Sequence, residues 1–506
     1  MLLEKIIELG KARPHDIAMI DDRRTLTFGQ LRYGANMMAG HLDKLAGNQE
    51  RIGLLLPQSS AFAVAFGGTR WTSRVAVPLN YLLRPPELID IIRDAGVKTI
   101  VTIHYFAEIT AALKAAGFQV VCMEDLSFRK IPWPRRMPDR NPEDLAVILY
   151  TSGTSSSSKG VMLTNDNLNA NAADAIAHAQ FNRQMTFLGV LPMFHALGLM
   201  AGFLVPLSLG CRVIYQARFS PPATLELIRR HNIQVLVAVP TMYALLANCK
   251  SVSRAALSSV MYAISGGEPL PLGLLEKYKT DFGIDLLEGF GLTETAPMVS
   301  FCLPWAHKSG SVGKPLPNIE LRVVDETEKP LGPDQNGELW IRGRNVMKGY
   351  LNKPVETSAV LTADGWLKTG DIARIDADGF LYITGRKKEL IIMAGEKISP
   401  YEIEEVIRQH PAVLLTAVIG VKDPQRGEVP VAFVQPVPGL AEKTTAQDIR
   451  VFVRQRLAPY KTPRDVYFVE DMPRSPTGKI LKRALTIPAP TGTGDCLSDA
   501  TTDAPG

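Results

Sequence analysis

Leu145-Ala-Val-Ile-Leu-Tyr-Thr-Ser-Gly-Thr-Ser-Ser-Ser-Ser-Lys159-Gly160 joins an apolar, strand-like run to a loop of small and hydroxyl-bearing residues that ends on one lysine. In such a loop the backbone N–H groups turn inward unobstructed, the hydroxyls add donors, and Lys159 adds a positive charge, so the stretch reads as a cradle for phosphate. A Ser-rich linker needs neither a buried strand before it nor the run Gly160-Val-Met-Leu163 after it. The Walker-type phosphate loop is excluded, because Ser158 stands where that pattern needs Gly, and Gly160 where it needs Ser or Thr.

Outward from this loop the chain alternates strand-like runs with helix-like ones. Arg51-Ile-Gly-Leu-Leu-Leu-Pro57 and Thr99-Ile-Val-Thr-Ile103 read as strands. Between them, Pro85-Pro-Glu-Leu-Ile-Asp-Ile-Ile-Arg-Asp-Ala95 has proline in its first turn and Leu88, Ile91, Ile92 and Ala95 on one helical face. Gln234-Val-Leu-Val-Ala-Val239 has the β-branched content of a central strand. This alternation predicts an α/β domain of sheets flanked by helices. Near Asp371 the texture changes to short strands, with a turn at Asp376-Ala-Asp-Gly379 between Ala373-Arg-Ile375 and Phe380-Leu-Tyr-Ile383. A smaller α+β unit follows. Its first helix is expected to carry a capping box, Ser399-Pro-Tyr-Glu402, and to stop at His410-Pro411, and its second places Ile449, Phe452, Val453 and Leu457 at helical spacing.

The chain has 506 residues and a formal net charge of +5, with basic residues scattered among acidic ones. That length exceeds one ordinary core, and the charge pattern suits an anionic ligand but not nucleic acid. Cys122, Cys211, Cys249, Cys302 and Cys496 are widely spaced without a Cys-x-x-Cys, which points to a reducing cytoplasm and to neither a disulfide framework nor a zinc site. The first residues, Met1-Leu-Leu-Glu-Lys-Ile-Ile-Glu-Leu9, read as an amphipathic helix and not as a signal peptide. Phe187 to Leu209 is the longest apolar stretch, but Pro192, His195 and Pro206 interrupt it, so a buried strand-turn-helix is expected in place of a membrane span. Peripheral membrane contact through an acyl substrate stays open.

Further motifs follow in order: Gly266-Gly-Glu-Pro269, Gly289-Phe-Gly-Leu-Thr-Glu-Thr295, Gly337-Glu-Leu-Trp-Ile-Arg-Gly343, Trp366-Leu-Lys-Thr-Gly-Asp371, Gly385-Arg-Lys-Lys-Glu-Leu390 and Pro473-Arg-Ser-Pro-Thr-Gly-Lys479. Together with the Ser-rich loop, this ordered set resembles the adenylate-forming superfamily of acyl-CoA synthetases, luciferases and peptide-synthetase adenylation domains, up to about Leu485. The loop departs from the family pattern at two positions, Ser156 for Gly and Ser158 for Pro. The resemblance implies the adenylate-forming fold: a large α/β N-terminal AMP-binding domain over residues 1–386 with a small β subdomain, a mobile α+β C-terminal domain over 387–487, and a disordered tail over 488–506.

The resemblance also implies a two-step reaction with ATP, Mg²⁺ and CoA, in which a carboxylic acid becomes an acyl-adenylate and then a thioester. It gives the triphosphate to Thr151, Ser152, Gly153, Thr154, Ser155 and Lys159, and magnesium to Glu294. Phe290, Gly291 and Thr293 would lie at the adenine with the loop Gly267, Glu268 and Pro269, and Asp371 with Arg386 at the ribose. Lys479 would bridge carboxylate and α-phosphate, and His195 would close over the acyl site. Lys388 would be the hinge, and Ala394, Gly395 and Glu396 the loop on the CoA side. By its residue alone Phe290 reads as packed core, His195 suits a core and a site equally, and Asp371 suits a turn or cap as well as a site. The reading is an AMP-forming acid–thiol ligase for a fatty or other apolar acid. Its rivals are an adenylating enzyme that delivers an amino acid or other carboxylate to a carrier protein, and a non-catalytic nucleotide or acyl-CoA binder. No aspartate stands in Met193-Phe-His-Ala-Leu-Gly-Leu-Met200 to meet a substrate ammonium, and Lys479, Glu294 and Asp371 are all retained.

Overall fold

A computed structural model describes residues 2–128, 137–151, 158–437, 439–440, 444–474 and 480–487. Ser152, Gly153, Thr154, Ser155, Ser156, Lys479 and the tail expected from 488 lie outside the described residues. The chain divides into two compact units, Met1–Lys388 and Glu389–Gly506.

In the larger unit, Leu145–Thr151 buries Ala146, Val147, Ile148 and Leu149 and pairs antiparallel with Lys159–Thr164, which sets Thr151 opposite Lys159. The Ser-rich segment therefore connects two strands of one sheet instead of leading from a strand into a helix. A Cβ at Gly160 would lie 3.0 Å from the Tyr150 ring, so a larger residue there would press on that ring. Seven strands make this sheet, in the order Gly349–Tyr350, Lys159–Thr164, Leu145–Thr151, Val75–Pro78, Arg51–Leu54, Thr99–Thr102 and Gln119–Cys122. The strands from Val75–Pro78 to Gln119–Cys122 run parallel, as crossover helices such as Pro85–Asp94 demand. That helix turns Leu88, Ile91 and Ile92 inward, the face its spacing predicts.

A second sheet of nine strands is parallel through its middle. Val235–Ala238 is buried along its whole length between Thr186–Gly189 and Tyr262–Ser265, the place its β-branched residues suit. Leu286–Gly291 follows Tyr262–Ser265 in the sheet and pairs antiparallel with Met298–Phe301. The apolar stretch from Phe187 leaves the strand Thr186–Gly189 and re-forms as helical turns from Ala196 to Leu209, with a wider π turn at Met200–Leu204. No helix among the described residues is long and apolar enough to cross a membrane. The first helix, Leu2–Ala12, sends Leu2, Leu3, Ile6 and Ile7 into the core.

Four antiparallel strands, Glu320–Val324, Gly337–Arg342, Leu367–Ile375 and Leu381–Arg386, form the small β subdomain. The turn at Asp376–Gly379 joins the last two: Gly379 sits at φ +83° and donates its N–H to the Asp376 carbonyl at 3.0 Å. The Val312 N–H donates to the Leu381 carbonyl and the Leu381 N–H to the Gly313 carbonyl, each at 2.9 Å, which ties this subdomain to the loop between Met298–Phe301 and Lys314–Pro315 of the nine-stranded sheet.

In the smaller unit, Gly427–Pro436 pairs antiparallel with Val413–Asp423 and with Ile391–Met393, and parallel with Asp465–Phe468. Helices Pro400–Arg408 and Ala446–Arg454 cover this sheet with Ile403, Ile407, Ile449 and Val453. The capping box expected at Ser399 is absent. The Ser399 side chain makes no capping bond, and Glu402 instead holds Lys461 Nζ at 2.7 and 2.8 Å. A full ammonium is the stronger partner for that carboxylate than a backbone N–H. The box forms on the next helix, where the Asp448 N–H donates to Thr445 Oγ1 at 3.2 Å and the Thr445 N–H to Asp448 Oδ2 at 2.9 Å.

Candidate active site

The hairpin that carries Lys159 gains an outer strand, Gly349–Tyr350, with Tyr350 opposite Val161. This pairing places the Tyr350 ring 4.5 Å from Lys159 Nζ. The same tyrosine donates its hydroxyl to Glu294 Oε1 at 2.8 Å. Burial, and then the Glu294 charge it serves, push the Tyr350 phenol well above its ordinary range, so it stays a donor. Glu294 lies in the short turn Thr293–Thr295, held from outside by the Met347 N–H on its carbonyl at 2.8 Å and by the Asn345 amide on the Thr295 carbonyl at 2.9 Å. Ala296 closes the turn at φ +60°. A cation, a phenol and a carboxylate from three chain segments thus meet beside the loop expected to take phosphate. Tyr150, one residue before Thr151, is fixed by its hydroxyl on Asp94 Oδ2 at 2.6 Å.

Next to this cluster, the strands Tyr262–Ser265 and Leu286–Gly291 open onto an apolar cavity of about 80 Å³. Phe187, Leu197, Val237, Ile264, Phe290 and Met298 are among its walls, with Gly266, Gly267, Gly289 and Gly291 where the backbone itself forms the surface. Gly267 adopts φ +88° and is exposed, and Gly291 leaves no room for a Cβ, which would fall 2.1 Å from the Pro297 carbonyl oxygen. The structure therefore brings Gly267, Phe290 and Gly291 together at one opening, with Glu268 and Pro269 following Gly267 in the same loop.

His195 precedes the helical turn that contributes Leu197 to that wall. Its ring packs on Phe194 at 4.5 Å, and its Nε2 is shielded from solvent with no partner among the described residues. Burial lowers its pKa to about 4, so the imidazole is neutral at neutral pH.

Asp371, 2 % exposed, and Arg386 sit opposite each other on adjacent strands, with Arg386 Nε 2.7 Å from Asp371 Oδ1. Lys388 is exposed at the end of the larger unit. In the smaller unit, Ala394 and Gly395 form the two-residue turn of a hairpin in which Met393 faces Glu396, at φ +51° and +91°. Tyr350 and Asn345 escape a reading of the sequence, because neither falls in a motif or a periodic pattern and each gains its role from a distant strand.

The profile of the AMP-binding enzyme family matches residues 8–351, and that of the AMP-binding enzyme C-terminal domain matches residues 402–479. A feruloyl-CoA synthase of an Amycolatopsis species is 34% identical over 481 residues, covering 94% of this chain and 96% of its own. A long-chain-fatty-acid–CoA ligase of Bacillus subtilis is 32% identical, covering 96% of this chain and 94% of its own. Among solved structures, the o-succinylbenzoate-CoA synthetase of Bacillus subtilis in complex with its acyl-adenylate superposes with a TM-score of 0.87 at 29% identity, over 96% of this chain and 98% of that one. The two matched profiles, the agreement of the fold and relatives spanning nearly the whole chain lead to one conclusion: the chain belongs to the AMP-binding enzyme family and is an AMP-forming acid–CoA ligase.

Proposed function

We propose that the acid this ligase activates is apolar in its body, and that it enters the cavity between Phe187, Leu197, Val237, Ile264, Phe290 and Met298. The observation that carries this reading is the cavity wall itself, in which no described side chain is ionisable. A substrate ammonium would lose its hydration there without a counter-charge, which disfavours the amino-acid-activating alternative. The volume of about 80 Å³ is roughly half that of the ~150 Å³ cavity that binds benzene, so it suits a short chain, and a ring enters only as the wall yields. A long acyl chain needs the wall to yield.

In this reading the acid's carboxylate oxygen attacks the α-phosphorus of ATP and pyrophosphate leaves; the CoA sulfur then attacks the carbonyl carbon, loses its proton, and AMP departs. Charge accumulates on phosphate and carbonyl oxygens in both steps, so fixed cations and donors are what the site must supply. Lys159 lies beside the loop suited to triphosphate, and the Asp371 carboxylate suits ribose hydroxyls. Glu294 offers a hard oxygen to Mg²⁺, and with one carboxylate in the cluster the ion would fill its other positions with water and phosphate. When bound, that ion would neutralise phosphate charge. Lys479 would supply a cation to the first step, and a turn about Lys388 would present Ala394, Gly395 and Glu396 for the second.

The test is pyrophosphate release with a panel of short aliphatic, branched, aromatic and amino acids, with mass detection of the acyl-CoA formed. Turnover of apolar acids alone supports the reading. Equal or better turnover of an amino acid overturns it.

A further inference from the structure

The helix Asn165–Ala179 follows directly from the strand Lys159–Thr164, and one of its faces is polar although it is turned inward. Asn167, Asn171, Asp174 and His178 recur at helical spacing, so they lie one above the other along that face. Each holds a distant part of the larger unit. Asn167 donates to the Arg344 and Val346 carbonyls at 2.8 Å each. Asn171 donates to the Met298 carbonyl at 2.6 Å and accepts from the Met298 N–H at 3.2 Å. Asp174 accepts from the Asn318 amide at 2.8 Å, and His178 Nε2 lies 3.1 Å from the Phe301 carbonyl.

Asn167 and Asn171, one turn apart, thus reach the two segments that flank Glu294. On one side stand Asn345, whose amide holds the Thr295 carbonyl, and Met347, whose N–H holds the Glu294 carbonyl. On the other side Met298 follows Glu294 by way of Ala296 at φ +60°, and it also belongs to the cavity wall. The register between Met298–Phe301 and Leu286–Gly291 shifts there, and such a shift interrupts the ladder that would otherwise fix the backbone. The fully buried Asn171 engages both main-chain groups of Met298 at that interruption. An apolar side chain of similar size would fill the space and leave both groups to find other partners.

We infer that Asn171 is a positioning residue, which through Met298 sets the Glu294 turn and the cavity wall together and so aligns the acid with the phosphates of ATP. This rests on the proposed entry of the acid into the cavity and on Glu294 facing the phosphates. Asn171 does not line the cavity and acts only through the chain from Glu294 to Met298. Attack on the α-phosphorus needs the carboxylate in line, and a misplacement of about 1 Å can cost about 100-fold in rate.

The experiment compares the full chain as wild type, Asn171→Leu, Asn171→Asp and Asp174→Ala. Asn171→Leu should raise KM for the acid and KM for ATP together, each about tenfold, and lower kcat for pyrophosphate release. The stabilisation that ATP with Mg²⁺ gives wild type in thermal unfolding should shrink in this variant, a readout that needs no turnover. Asp174→Ala breaks a bond from the same helix face to Asn318, and should lower the melting temperature while keeping both KM values. Asn171→Asp reads the two bonds to Met298 themselves. Its buried carboxyl donates and accepts as the amide does when protonated, and loses the donor when ionised, so the variant should lie near wild type at about pH 6 and fall away from it at about pH 8.5. Asn171→Leu with KM values and ATP stabilisation no different from those of Asp174→Ala, or Asn171→Asp impaired alike at both pH values, overturns the inference. Should Asn171→Leu not fold, Asn171→Asp decides alone. A wild type that turns over no apolar acid fails the reading of the cavity, and the ATP stabilisation of the variants then still decides the role of Asn171.

Discussion

The Tyr350 hydroxyl reaches Glu294 Oε1 at 2.8 Å while its ring lies 4.5 Å from Lys159 Nζ, so one side chain orients the carboxylate and flanks the cation. The two contacts use different parts of the tyrosine and can be separated by substitution.

Tyr350→Phe keeps the ring beside Lys159 and removes the donor to Glu294. Adenylation is expected to fall about tenfold, with a higher Mg²⁺ concentration needed for half-maximal rate, because a hydrogen bond to a charged group is lost. Tyr350→Leu removes both contacts and is expected to fall further, with a raised KM for ATP. Pyrophosphate release measured against Mg²⁺ and ATP decides it. A Phe variant equal to wild type in both titrations reduces Tyr350 to packing.

The Asp371–Arg386 pair gives a second prediction. Arg386→Leu leaves a buried carboxylate without its guanidinium, and breaking a buried pair is strongly destabilising. The arginine side chain is 38% exposed, so solvent screening reduces the effect to about 2 kcal/mol. Urea unfolding should show that loss together with a raised KM for ATP. Arg386→Lys should recover part of both.

His195 provides a pH signature. Its folded pKa of about 4 lies below the value near 6.5 of an unfolded histidine. Between those values the unfolded chain binds a proton that the folded chain does not, so stability is full above about pH 6.5 and is lost as pH falls toward 4. At pH 5 the loss is about 2 kcal/mol. His195→Phe removes the titrating group. The variant should therefore lose about 2 kcal/mol less than wild type between pH 7.5 and 5 in denaturant unfolding, and identical losses would mean that protonation opens no cost at this site.

What the sequence disclosed about these elements follows their range along the chain. Val235–Ala238, Pro85–Asp94 and the Asp376–Gly379 turn were legible because local composition determines a buried strand, an amphipathic face and a tight turn. The family resemblance singled out Glu294, and the structure sets its carboxylate on the Tyr350 hydroxyl. Tyr350 was not legible, since its role arises only when Gly349–Tyr350 pairs with Lys159–Thr164. The two Ser/Thr-x-x-acid patterns show the same limit. Thr445 and Asp448 cap their helix, whereas Glu402, in the same register, is taken by Lys461 from a later segment. Sequence spacing offers a partner, and tertiary competition decides whether it is used.

In the proposed reaction the turn at Ala394 and the lysine at 479 serve different half-reactions. Ala394 holds φ +51°, a conformation that costs a residue with a Cβ about 1–2 kcal/mol and that β-branched residues rarely tolerate. Ala394→Val should distort the hairpin between Met393 and Glu396, while Ala394→Gly should leave it intact. If this loop serves thiol entry, the Val variant slows thioester formation from supplied acyl-adenylate and leaves pyrophosphate release near normal. Lys479→Ala should do the reverse, lowering adenylation by about 10²–10³ through loss of one aimed donor where charge builds, and sparing the thioester step. Pre-steady-state measurement of both half-reactions in the three variants reads out the two roles on one protein. Equal losses in both steps for Lys479→Ala, or slowed adenylation with unimpaired thioester formation for Ala394→Val, would show that the two segments do not divide the reaction between them.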